Sequence, residues 1–467
     1  MFYVLANLGA KVNSYEKDMT KGRISSLMFS FALPIMLSQL FQQLYNTADS
    51  FIVGNYLGTF ALAAVSSSGT LIFLMISFFV GLTMGAGVVI SRYFGANDKE
   101  RVSRAIHTNI LVGLLCGVIL TVFGVLFTPT LLKWMNTDQE YMPLAVEYFR
   151  VYFLGGVPMV MYNVARGTMN AIGDSKRPLY YLIISSVVNI VLDILFVGVF
   201  RWGVWSAALA TVISQLMSVI LCFIHLFKKG QVFSVSLKKL KINREMLKQI
   251  ISFGFPSAVQ NSVIALANVI VQTQINTFKA VATAAYGSYS KIEGFAFLPI
   301  NSFTMAISTF VGQNMGAGEY ERAKKGSRFG ILTCVLMAEI VGVLIFAFAP
   351  SLIRLFDDNK EVIYYGTKQA RIEALFYGLL AFSHAVGATC RGAGKAFVPM
   401  LVMLSVWCVI RIVYILLIMN FIGDIAYIYW AYPITWGIST VVFALYYKFS
   451  KWERGFGAKA GIIKNDN

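Results

Sequence analysis

The sequence predicts an all-α integral membrane protein, with twelve transmembrane helices arranged as two six-helix lobes related by a pseudo-two-fold axis along the membrane normal. Three observations carry this: the hydropathy of the chain, the placement of its charges and an internal repeat. Of its 467 residues 57% are hydrophobic and 13% charged, with a mean hydropathy of +0.68; soluble chains are roughly 45–50% apolar. A spanning helix needs roughly 20 apolar residues. Twelve such stretches begin near Ser25, Ala61, Ala105, Pro143, Pro178, Trp205, Ile251, Val281, Phe329, Val362, Val398 and Trp430. They leave no room for a soluble domain.

The net charge of +17 would suggest a nucleic-acid partner in a soluble protein, so the position of each Lys and Arg matters. With the N-terminus inside, 28 of the 39 fall in inward segments and six (Lys133, Arg201, Lys279, Arg354, Lys360 and Lys368) in outward ones. This positive-inside bias predicts cytoplasmic termini, with the lipid bilayer and not nucleic acid as partner.

The two halves repeat at an offset of about 221 residues. Thr83-Met84 matches Thr304-Met305, Gly95-Ala96 matches Gly316-Ala317, and Glu100-Arg101 matches Glu321-Arg322; Arg150, Gly173 and Pro178 match Arg371, Gly394 and Pro399. Phe31 and Pro34 match Phe253 and Pro256 with a shift of one. Six crossings return each half to the side it started from, so the repeat is parallel, and two such lobes around a cleft are a known route to alternating access. The expected organisation is a tail over residues 1–24, an N-lobe over 25–227, a basic linker over 228–250, a C-lobe over 251–447 and a second tail over 448–467. A working monomer is expected, since one chain holds both lobes. The run FYVLANLGA lacks the basic flank of a cleavable signal, and the tail before Met19 reads either as an extension or as a start that belongs at Met19.

Polar residues recur at helical spacing inside several spans. The first carries Gln39, Gln42, Gln43, Asn46 and Ser50 on one face with Asp49 at its edge. The fifth carries Ser185, Asn189 and Asp193, and the sixth Thr211, Ser214, Gln215 and Ser218. Such faces should line a cavity or pair with each other. Asp49 and Asp193 lie well inside apolar segments, where an ionised carboxylate is expensive unless protonated, paired or bound to a cation. In the second half Gln260, Asn261, Asn268 and Gln272 mark the seventh span. Glu293 in the eighth could meet a cationic substrate or pair with a basic residue. Glu339 with Arg411 is a candidate buried pair, while Arg371 with Glu373 and Glu147 with Arg150 read as gate or interface residues. Met36, Tyr45, Tyr162, Tyr286, Phe297 and Met305 would supply an adaptable surface for flat cations.

Other chemistries find little support. The five cysteines form no CxxC pair, and the three histidines have no metal-ligand spacing. GLTMGAG (81–87) and GQNMGAG (312–318) lack the strand and the Lys of a phosphate loop. No enzyme, cofactor or metal site is expected, beyond sodium at a coupling site.

The segments FALPIMLSQLFQQLYNTADSFIVGNYLG (31–58), GAGVVISRYFGANDKE (85–100), ARGTMNAIGDSKRP (165–178), NIVLDILF (189–196), AALATVISQ (207–215) and FVGQNMGAGEYERAKKG (310–326) together resemble the multidrug and toxin extrusion (MATE) family, in its prokaryotic DinF-like branch. The resemblance runs from about Lys21 to Tyr447. It implies a secondary active antiporter that exports cationic amphipathic drugs or toxins, small organic cations, in exchange for protons or sodium. Its cation site carries over onto Asp49, Asn163, Asn189, Asp193 and Thr211. The cavity residues expected to meet substrate are Met36, Gln39, Gln43, Asn46, Gln260, Asn261 and Glu293. The alternative is a flippase for lipid-linked saccharides of the wider superfamily, which would need a basic cavity.

Overall fold

The computed structural model describes residues 17–134, 137–228 and 235–454; the run FYVLANLGA and the tail beyond residue 454 lie outside them. Its twelve crossings are α1 (Ile24–Leu57), α2 (Thr59–Gly95), α3 (Lys99–Trp134), α4 (Met142–Leu154 and Gly156–Ala171), α5 (Lys176–Val199), α6 (Trp205–Phe227), α7 (Arg244–Asn276), α8 (Lys279–Gly316), α9 (Tyr320–Arg354), α10 (Lys360–Gly392), α11 (Phe397–Phe421) and α12 (Ile425–Phe449). Many exceed the length a bilayer requires, α8 reaching 38 residues, because their polar ends stay helical past the apolar stretch. Asn243 begins α7 by accepting a hydrogen bond from the Met246 N–H at 3.1 Å, a side-chain cap that satisfies a free backbone donor.

The fourth crossing is broken. Its two pieces are bent by 48° at Gly155, where a side chain would stand 2.4 Å from Val212 Cγ2 of α6. Only a glycine lets the bend press so closely on its neighbour. The fifth crossing changes its winding over Ile194–Val199, a π-helical stretch that starts directly after Asp193. Such turns shift side chains off the α-helical register and gather at functional sites.

The repeat read from sequence is also a repeat of backbone geometry. Positive φ angles occur at Asn97 (56°) and Gly318 (76°), and at Gly173 (87°) and Gly394 (76°), matching positions of the two halves. Pro34 and Pro256 lie within α1 and α7, and Pro129 and Pro350 within α3 and α9. The lobes exchange their first turns. Met28, Phe31, Ala32 and Ile35 of α1 are buried in the C-lobe core, while Met246 and Ile250 of α7 are buried in the N-lobe core.

The lobes meet through α1, α2, α7 and α8, with α2 against α7 the most extensive helix pair among the described residues. Glycines make this possible. A Cβ at Gly81 would lie 2.3 Å from Ala258 Cα, and one at Gly85 2.2 Å from the Gly254 nitrogen. Close to the symmetry axis, a Cβ at Gly95 would stand 1.9 Å from Gln313 O, and one at its repeat partner Gly316 would stand 1.9 Å from Arg92 O. All these contacts lie toward the end that carries both termini. There the segment before α1 is wedged between the lobes: the Met19 N–H donates to Gln313 Oε1 (2.9 Å), Gln313 Nε2 donates to Ala171 O of the N-lobe (3.0 Å), and Asn314 and Arg322 donate to Met19 O. Toward the opposite end Asn46, Thr47, Thr273 and Asn276 are exposed, and Cβ positions at Gly287 and Gly294 of α8 would meet nothing within 4 Å. The cleft is therefore closed at the termini and open at the far side.

Candidate cation sites in the two lobes

Burial and pairing distinguish the N-lobe site from an ordinary polar stripe. The stripes of α5 and α6 face each other: Ser218 Oγ donates to Ser185 Oγ at 2.6 Å, and Asn189 Nδ2 to Thr211 Oγ1 at 3.5 Å. Asp193 is fully buried and Asp49 is 8% exposed. Both oxygens of Asp193, Oδ1 of Asp49 and Oδ1 of Asn189 are buried with no hydrogen-bond partner among the described residues. The two carboxylates lie within each other's field, and neither forms an ion pair there. Buried polar groups in folded proteins are almost always bonded, so these four oxygens on α1 and α5 make a candidate donor set for a cation or a proton.

Three tyrosines surround this set. Tyr45 on α1 and Tyr148 on α4 lie in the field of both carboxylates, Tyr152 in that of Asp49, and the Tyr45 hydroxyl sits beside Gln42 and Gln215. Tyr45 was expected as a cavity aromatic; Tyr148 and Tyr152 were not. Their i, i+4 spacing was the available signal, but in an aromatic-rich chain it is indistinguishable from packing. Asn163 behaves differently from the other four positions implied by the resemblance. Its bonds run along its own helix, with Nδ2 donating to Met159 O and Oδ1 accepting from Arg166 at 2.9 Å each.

The C-lobe holds a second buried acidic group. Glu373 of α10 is 1% exposed, accepts from Gln369 Nε2 at 2.9 Å and lies in the field of Glu293 of α8 and of Arg411 of α11. Tyr289 and Tyr377 share a hydroxyl contact of 2.7 Å beside it, and Tyr286 and Tyr432 one of 3.2 Å. The expected Glu339–Arg411 pair does not form. Glu339 Oε2 accepts from the Gly378 N–H at 2.8 Å, while Arg411 donates from Nη2 to Thr435 Oγ1 at 2.9 Å and lies 4.4 Å from the centre of the Tyr432 ring. Arg371 and Glu373, read from the sequence as gate or interface residues, do not face each other. Two residues apart on a helix, they point to different faces, and Arg371 lies over the Phe346 ring. Glu147 and Arg150 are both exposed and form no ion pair among the described residues.

Of the expected cavity residues, Met36, Gln39 and Gln43 on α1, Asn261 on α7 and Glu293 on α8 are half-buried, and Asn46 is exposed. Gln260 is instead 4% exposed and donates to Met403 Sδ of α11, so it points into the C-lobe and away from the cleft.

Residues 34–195 and 256–417 each match the MatE family model, the two matches falling on the two halves of the repeat. The probable multidrug resistance protein YoeA of Bacillus subtilis is 30% identical over 430 residues, covering 90% of this chain and 93% of the relative. YpnP of the same organism, also a probable multidrug resistance protein, is 28% identical, covering 93% and 97%. Among solved structures, an outward-facing multidrug resistance MATE family transporter of the MOP superfamily aligns with a TM-score of 0.86 at 23% identity, covering 94% of this chain and 98% of the other. The fold is thus shared well beyond the level of sequence identity.

Proposed function

We propose, from the premise that this chain belongs to the MatE family of multidrug transporters, that it exports small organic cations across the bacterial inner membrane in exchange for a cation bound at Asp49 and Asp193. One observation carries the coupling site: two neighbouring, deeply buried carboxylates, with both oxygens of Asp193 and Oδ1 of Asp49 lacking partners among the described residues. A proton or a sodium ion satisfies both, with Asn189 and Thr211 supplying neutral oxygens beside them. The positive-inside bias puts both termini in the cytoplasm, so the open cleft faces outward.

Alternating access follows from the packing. Cation binding at the outer part of α1 and α5 neutralises the carboxylates and changes how α1 lies against the N-lobe. The first turns of the same helix are buried in the C-lobe core, so a change at one end bears on the interface at the other. The polar, half-buried face of Gln39, Gln43 and Asn46 receives substrate, and Glu293 meets its positive charge from across the cleft. Exchange is reciprocal, because each ligand weakens the other by the same factor. One chain carries both lobes and acts as a monomer. The acidic interiors of both lobes weigh against a flippase cavity built for a pyrophosphate.

Ethidium movement in proteoliposomes under an imposed proton gradient, then a sodium gradient, tests the proposal with the native protein and Asp193→Asn. Gradient-driven transport that the substitution abolishes is the expected result. Normal transport by a folded Asp193→Asn protein refutes the N-lobe site.

A further inference from the structure

On its membrane-facing side, away from the cleft, the C-lobe has a furrow with an unusual history in the repeat. Helices α9 and α12 both pack on the second half of α10 but scarcely touch each other. Between them lies a cavity of about 320 Å³ lined by Ile331, Leu332 and Val335 of α9, Phe382 of α10, and Tyr447 of α12, with Arg328 at its head. The volume is that of a small-ligand site, for which about 300–1,000 Å³ is usual, and Leu332 and Leu336 on the adjoining face are exposed where lipid would lie.

The N-lobe shows what this architecture does when it is filled. By the 221-residue offset, Arg328 corresponds to His107 of α3 and Tyr447 to Leu226 of α6. There the chain that follows α6 closes the furrow: the Ser236 N–H donates to His107 Nε2 at 3.1 Å, the Val235 N–H donates to Leu226 O at 2.8 Å, and Val235 is buried in the N-lobe core. In the C-lobe, Trp452 stacks on Tyr447 at 5.7 Å, but among the described residues nothing takes the place of Val235, and Leu332 stays exposed with Val335 half-buried beside it.

Charge decides what fits. Arg328 is exposed and lies beside the Tyr447 hydroxyl, with no ion pair among the described residues. Glu321 and Glu453, the acids ahead of it on α9 and just beyond α12, are both bonded to Lys324, at 3.0 and 3.2 Å. Lys325 stands one turn away on the same helix face, and Lys448 follows Tyr447 on α12. A cationic mouth at the membrane surface above an apolar trough between helices matches a lipid with an anionic head.

We infer that this furrow binds one anionic phospholipid from the leaflet on the side of the termini, its phosphate at Arg328 and the Tyr447 hydroxyl and an acyl chain along Ile331, Val335 and Phe382. The lipid does for the C-lobe what Val235 and Ser236 do for the N-lobe.

The test is native mass spectrometry of the full chain released from nanodiscs of equal phosphatidylglycerol and phosphatidylcholine. The native protein retains phosphatidylglycerol preferentially. Arg328→Gln lowers that retention about fivefold, since one cation near the surface contributes about 1 kcal/mol, and Arg328→Lys restores most of it. Val335→Trp, which fills the trough, removes both lipids, while unchanged unfolding temperatures confirm that the variants fold. Equal retention of the two lipids overturns the inference, as does an unaffected Arg328→Gln protein, or displacement by inorganic phosphate as readily as by lipid. Phosphatidylglycerol bound only after deletion of residues 455–467 also overturns it, by assigning the furrow to the tail.

Discussion

Adding one methyl group at Gly85 should tip the transporter out of the form in which the lobes meet at the end carrying the termini. The Cβ of Gly85→Ala would fall 2.2 Å from the Gly254 nitrogen, 2.3 Å from its Cα and 2.7 Å from Ile250 O. Ordinary contact begins at 3.4 Å, so α2 and α7 must separate by about 1.2 Å at a place where both sides are backbone and no side chain can swing away. Overpacking of this kind costs about 1–3 kcal/mol. The cost falls only on the state in which the lobes touch here, so it shifts the ratio of that state to the one in which they part by about 5- to 150-fold. Spin labels on Lys99→Cys and Lys325→Cys, exposed positions of the two lobes at the end carrying the termini, report the change as a longer distance in electron–electron resonance. Gly87→Ala is the internal control, since the nearest atom to its Cβ is Gly167 O at 4.0 Å. If Gly85→Ala leaves the distance distribution unchanged while Gly81→Ala does the same, the α2–α7 contact does not hold the lobes together and the argument is wrong.

Other expectations follow from single contacts. Replacing Gln313 with Ala removes the bridge from the Met19 N–H to Ala171 O and leaves buried groups unsatisfied at about 1–3 kcal/mol each; the same spin-label pair should open, and transport should slow. Asp49→Asn should weaken cation binding about 10- to 150-fold, the equivalent of a charge-assisted hydrogen bond of about 1.5–3 kcal/mol, measured as the gradient needed for half-maximal ethidium efflux; an unaltered requirement argues against Asp49 as a ligand. Asp174 is fully buried against Arg177 at 2.8 Å, so Asp174→Ala should destabilise the fold by about 3–5 kcal/mol, read as a lowered unfolding temperature, whereas Glu100→Ala at the exposed Arg104 pair should change it by less than about 1 kcal/mol. Glu373→Gln should alter drug efflux without changing the cation dependence assigned to the N-lobe; loss of both together would merge the two sites into one.

Legibility differed sharply between the lobes. In the N-lobe the carboxylates stood on helical stripes with amides and hydroxyls at i+4, and a polar face inside an apolar span has few explanations in a bilayer. Asp49, Asn189, Asp193 and Thr211 therefore stood out on their separate stripes, and the family resemblance joined them into one candidate site. In the C-lobe Glu373 lies two residues after Arg371, and the two read together as gate or interface residues. The helix turns them about 200° apart, and Glu373 is bonded instead to Gln369 one turn before it, beside a tyrosine cluster and facing Glu293 of a different helix. Arg411 was misread for a related reason: sequence exposes its charge but not the Tyr432 ring and the Thr435 hydroxyl that take the place of a carboxylate. Gln260 looked like a cavity residue by composition, and only the rotation of α7 sends it to Met403.

What the sequence alone determined is the medium, the number of crossings, the parallel repeat and the chemistry of the N-lobe stripe. These follow from hydrophobic length, charge asymmetry and periodicity, which are properties of the chain taken one segment at a time. Only the tertiary structure decided where the cleft opens, how glycines at 81, 85, 95 and 316 bring backbones together, and that among the described residues the linker fills the outer furrow of one lobe and nothing fills that of the other. Those depend on contacts between residues up to about 300 positions apart, such as Met19 with Asn314. Such a contact leaves no period or charge pattern in the chain: a glycine that lets two lobes close reads in sequence like one that merely ends a helix.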